Sequence, residues 1–169
     1  IYWNDKAIEN YKKVNNKLYV YDVISNSGVA YHKDGQYDKA ILEYQKSLTI
    51  AKDMQNQMAI DGAKINLIES YIETDKIDFA NKLLAEVIND TLSYNRNLPT
   101  WLKSGVFESK SKILQNKKQF EQALIYYKLY TSFNDSLIKN EKTQKIASLE
   151  IKYQTEKKEK ENLALKTEK

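Results

Sequence analysis

Small and bulky residues alternate along this chain at intervals that suit a helix. Four stretches align on an alanine: "DKAIENYKKV" (Ala7), "DKAILEYQKSL" (Ala40), "DFANKLLAEV" (Ala80) and "EQALIYYKLY" (Ala123). Four residues after each alanine comes a bulky side chain, Tyr11, Tyr44, Leu84 or Tyr127. Three further on stand Val14, Ser47, Val87 and Tyr130. Such positions share one helix face. Nine residues before the last three alanines stand Tyr31, Tyr71 and Leu114, each in its own helix-like segment. Alanine at the closest approach lets two antiparallel helices pack tightly, and the flanking aromatics fill the space above and below. Gly28 is the small partner on the first helix of one pair. Gly35 stands where that helix must end, since glycine readily takes the left-handed cap conformation.

The pattern predicts helix pairs at 20–34 with 37–53, 57–74 with 76–90, and 99–116 with 119–132. Pro99 suits the first turn of a helix, and residues 91–98 read as the most loop-like stretch. Residues 4–17 read as the second helix of a further pair, its first helix lying upstream of Ile1. With four glycines and one proline, little turn chemistry is available, and helix is expected almost everywhere.

Self-similarity at a fixed period marks repeat architectures. The spacing of Gly28, Tyr31, Gly35, Tyr37, Ala40, Tyr44 and Leu48 resembles the tetratricopeptide repeat (TPR), which has a period of about 34 residues. The best unit spans about 21–54, departing from the pattern at Ser47 and Lys52. Further units fall at about 61–94, where Ile68 replaces glycine, and about 104–137. Alanine spacings of 33, 40 and 43 residues imply extended helices or longer connections. The resemblance implies an all-α fold, an α-solenoid of antiparallel helix pairs. Residues 1–137 would form the array, with a half repeat at 1–20, and 138–169 a capping or exit helix. It further implies a concave groove that takes a peptide or protein partner. Carried over position by position, the lining is Asp22, Ser25, Val29 and His32, then Ile65, Glu69 and Ile72, then Glu108, Lys112 and Gln115. The Lys and Asn set with which chaperone-binding members clamp a terminal carboxylate is missing. Ile65 and Ile72 suggest an apolar contact for an extended or helical peptide.

Composition narrows the chemistry. The 169 residues contain no cysteine, which excludes disulfides and a thiol nucleophile. His32 is the one histidine and has no nucleophile or ligand set around it in sequence. The glycines are too scattered for a phosphate-binding loop. Glu69 and Glu73 share a helix face, as an acidic patch or as a solvated surface. Tyr11, Tyr31, Tyr44, Tyr71 and Tyr127 occupy packing positions, so they read as core. No catalytic residue, metal site or cofactor is expected.

Net charge is +4, of which residues 139–169 hold +3, with nine lysines and six glutamates. No basic face is evident in the body, so nucleic-acid binding by this segment is not expected. No apolar run reaches the ~18 residues of a membrane span.

The tail has its own periodicity in Ile146, Leu149, Tyr153, Glu156, Lys160 and Leu163. It fits either a solvated capping helix or a weak coiled coil that would make a homodimer. The element "KYQTEKKEKEN", leading out of such repeats, resembles the extracytoplasmic segment of bacterial sensor histidine kinases. That resemblance implies a membrane span and a kinase downstream, a role in two-component signal transduction and a periplasmic location. A LuxR-type regulator or a cytoplasmic adaptor are the alternatives, and the lysines of the tail favour the cytoplasmic side. Both chain ends look cut, as in a piece of a longer protein.

Overall fold

The computed structural model describes residues 16–93, 99–133 and 139–167. They form seven helices: α1 (Lys17–Lys33), α2 (Tyr37–Asp53), α3 (Gln57–Glu73), α4 (Ile77–Ser93), α5 (Thr100–Asn116), α6 (Phe120–Phe133) and α7 (Lys139–Thr167). No strand occurs among the described residues. The fold is all-α, built from TPR-type helix pairs. The anchor Ala7 and its partners Tyr11 and Val14 lie outside the described residues.

One turn joins the helices wherever the connection is three residues long. After α1, Gly35 takes φ 73°, and the amide of Gln36 donates to the carbonyl of Tyr31 at 2.9 Å. Gln55, Asp75 and Lys118 adopt the same left-handed conformation, at φ 53°, 58° and 58°. Behind them the amides of Asn56, Lys76 and Gln119 donate to Ala51, Tyr71 and Leu114. Each turn thereby satisfies carbonyls that the helix end would leave bare. The same last residue then starts the next helix: the amides of Ala40, Ile60, Ala80 and Ala123 donate to the carbonyls of Gln36, Asn56, Lys76 and Gln119.

These turns explain the long period. Two helices of 17 residues with two three-residue turns separate Ala40 from Ala80 by 40 positions. Between α4 and α5 the connection is six residues instead of three, which gives the interval of 43. Longer helices, rather than longer loops, account for most of the departure from 34.

The chain divides into two compact units, residues 1–97 and 98–169. In the first, α1 packs on α2, α2 on α3 and α3 on α4, and α1 also touches α3. Lys17, at the start of α1, pairs with Asp53, at the end of α2, at 2.6 Å, as antiparallel helices require. Ala40, Ile41, Tyr44 and Leu67 form the buried centre, with Tyr31, Tyr71 and Leu48 half-buried against it. Gly28 lies directly beneath the ring of Tyr44, where an added Cβ would come within 2.5 Å of ring carbon Cε1. Ser47 replaces the usual alanine without loss, because its buried hydroxyl donates to the Tyr44 carbonyl at 2.9 Å.

In the second unit α5 packs on α6 and α6 on α7. Leu114, Ala123, Leu124 and Leu149 form its centre, with Phe120, Tyr127 and Ile146 packed against them. Ser111 donates from its buried hydroxyl to the carbonyl of Ala123 at 2.8 Å. The tail periodicity resolves along α7: Leu149 is 1 % exposed, whereas Leu163 is 64 % exposed. A 29-residue helix against a 14-residue α6 has a C-terminal stretch with no α6 residue opposite, and residues 157–163 are exposed.

Candidate functional site

The groove residues expected from the sequence fall into two groups, one in each unit. On α1, Asp22 is exposed, while Ser25, Val29 and His32 are half-buried. Val29 packs against the core, and His32 meets the ring of Tyr37 edge-on at 5.1 Å. On α3, Glu69 is half-buried, but Ile65 and Ile72 are only 6 % and 9 % exposed. The apolar contact expected of these two isoleucines is therefore spent inside the protein. The physical reason is that α3 touches α1, α2 and α4, so most of its circumference is covered. Even polar groups are buried there: Asp61 accepts from Gln57 at 2.9 Å, and Lys64 reaches Glu86 at 3.4 Å.

On α5 the three expected residues are all half-buried and lie along one face. Glu108 and Lys112 pair at 2.9 Å, and Gln115 donates to the hydroxyl of Ser111 at 3.2 Å. Asp22, Ser25 and Val29 share a helix face with Tyr21 nearby, a residue the spacing did not single out. Tyr21 donates to the carbonyl of Ala59 at 3.2 Å, tying α1 to α3. Burial raises its phenol pKa, against the opposing effect of a hydrogen bond with Ser25.

The structure also gives α7 a place in the repeat that its sequence did not announce. Leu149 enters the core of its unit as Leu67 enters that of the first, and the two stand 82 positions apart. Tyr153 follows Tyr71 at the same offset. In this register α7 takes the place in its unit that α3 takes in the first. The match ends on the outward side. The buried Ile65, Ile68 and Ile72 of α3 correspond to Ala147, Glu150 and Gln154 of α7, all exposed. A polar outer face is what a terminal repeat needs. The face carries a shallow cavity of about 400 Å³ between Ala147, Glu150, Ile151, Gln154, Thr155 and Lys158. That register signal, Leu-x-x-x-Tyr recurring at 82 residues, was readable in the sequence but weaker than the alanine anchors.

Among the described residues no group of His, Cys, Asp or Glu is arranged to hold a metal ion. No described helix is long and apolar enough to cross a membrane. No curated protein matches the chain at a significant level. Residues 21–54, which span most of α1, all of α2 and their glycine turn, match the family model of the tetratricopeptide repeat, a module whose general role is to bind protein partners rather than to catalyse.

Proposed function

We propose that this chain is the partner-binding input region of a transmembrane sensor histidine kinase, with its packed helices receiving the partner and the last stretch of α7 carrying the response onward. The partner-binding part of the reading is carried by the tetratricopeptide repeat at 21–54, whose turn recurs after α2, α3 and α5; the kinase part rests on the resemblance of the "KYQTEKKEKEN" element alone. Rigid helix pairs of this kind present side chains to a partner without chemistry of their own. The length of α7 supports its assignment as output, since it has 29 residues against the 14 of α6. Leu149 is the mechanical link in this scheme: a partner that shifts α5 or α6 moves the pocket in which Leu149 sits. The displacement then travels along a helix, which is stiff over its length.

An extracytoplasmic position belongs to the same proposal. The lysines at 157, 158, 160 and 166 favour the alternative, a cytoplasmic adaptor or the regulatory part of a LuxR-type regulator. Pairing of two copies through α7 would, in this reading, use the stretch beyond Glu156, since Ile146 and Leu149 already pack inside their own unit.

The test is the coding sequence beyond Lys169 in the parent gene. An apolar span followed by a kinase core is expected. A helix-turn-helix domain, or another soluble module without a span, would sink the kinase assignment.

A further inference from the structure

Charge is divided unequally between the two units. Residues 1–97 carry twelve basic and fourteen acidic side chains, a net of −2. Residues 98–169 carry fifteen and nine, a net of +6. Part of this excess converges on one face of the second unit. Lys112 of α5 and Lys145 and Lys152 of α7 form a cluster; partial desolvation, then the charges of Lys152 and Lys112, push the pKa of Lys145 down. Glu108 holds Lys112 in place at 2.9 Å. The ammonium of Lys152 lies 5.4 Å from the centre of the Phe120 ring.

Beside these cations is a shallow cavity of about 310 Å³ that Lys118, Phe120, Ile151 and Lys152 share. Ile151 is 68 % exposed, an apolar side chain left open to water. At the other end of the cavity stand Glu156, which pairs with Lys160 at 2.8 Å, and Glu159. Within the cavity lining, Lys118 and Lys152 stand at one end, Ile151 in the middle and Glu159 at the other. Gathering like charges costs free energy in the unbound protein, and an anionic partner turns that cost into attraction.

We propose that this face docks a peptide segment of a partner protein, with acidic residues against Lys112, Lys145 and Lys152, an apolar side chain over Ile151, and a basic end toward Glu159. The proposal rests on the protein-binding reading above and names the partner's chemistry. A nucleic acid suits the face less well. Base stacking needs an open aromatic face, and Lys152 already covers that of Phe120.

The probe is a fluorescein-labelled synthetic peptide with an acidic block, a central leucine and a basic block, titrated into the 169-residue chain by fluorescence anisotropy. Saturable binding is expected, on the order of tenfold tighter than that of a scrambled peptide of equal composition. Replacing Lys145 and Lys152 together by glutamate should weaken it by about tenfold or more, and added salt should weaken it further. Ile151→Ser should lower affinity by roughly threefold through lost apolar contact. Circular dichroism checks that these exposed substitutions leave the helices intact. Equal binding of the scrambled peptide, indifference to the lysine changes, or absence of saturable binding would overturn the proposal. So would duplex DNA or anionic vesicles binding these lysines more tightly than the peptide. A parent gene without a kinase would refute the sensor assignment and leave this result standing, so the two failures are distinguishable.

Discussion

The two units solve the same packing problem with different side chains. In residues 1–97, Gly28 leaves room for the whole ring of Tyr44, which is 3 % exposed. In residues 98–169 the corresponding pair is Ser111 and Tyr127, each 83 positions later. Ser111 fills the space with a hydroxyl bonded to the Ala123 carbonyl, and Tyr127 sits half-buried beside Tyr130 at 5.6 Å between ring centres. Between them, Ile68 and Leu84 take the same two positions, both almost fully buried. Ile68 with Leu84 divides the contact between two side chains of similar size, whereas Ser111 keeps the tyrosine partner and leaves its ring less buried. A repeat of this kind tolerates drift in single positions provided the partner changes size or burial with it.

That comparison can be broken at its centre. Leu67→Ala and Leu149→Ala remove equivalent buried side chains, and each should cost about 3 kcal/mol in urea unfolding. A neutral Leu149→Ala would show that α7 is not part of the second unit's core. Gly28→Ser transplants one solution into the other and should cost about 2 kcal/mol, because the new Cβ meets the Tyr44 ring. Adding Tyr44→Leu should recover most of this loss, and a double-mutant cycle measures the coupling. Ser111→Ala, by contrast, removes the bond to the Ala123 carbonyl and the one accepted from Gln115, and should cost about 1 kcal/mol.

The smallest effect concerns pH. Burial, with Glu69 adding, holds the Tyr44 phenol protonated well above its usual range. The unfolded chain releases this proton near pH 10. The stabilising contribution is therefore complete below about pH 10 and falls as pH rises beyond it. Urea midpoints at about pH 9 and about pH 11 should differ more in the native chain than in Tyr44→Phe.

Helix positions were legible because they are written locally. The alanine anchors predicted pairs that agree with α1–α6 to within a few residues, and Gly35 marked a turn that does take a positive φ. Three other turns of the same geometry were hidden, since Gln55, Asp75 and Lys118 carry no glycine signal. Their left-handed conformation costs roughly 1–2 kcal/mol each and is held by the helices packed on either side. The expected groove was less legible. Ile65 and Ile72 were expected to offer an open apolar contact, yet neighbours cover them. Which stripe stays open depends on how many helices touch it, a quantity that spacing along one helix does not contain.

From the residues alone came the period, the helix faces and the capping glycine, all properties of a segment and its immediate neighbours. Tertiary contact alone decided the division at 97 and 98, the burial of Leu149 but not Leu163, and the convergence of Lys112 with Lys145 and Lys152. Charges more than thirty positions apart become one surface only when two helices bring them together, because Coulomb interaction follows distance in space rather than order in the chain.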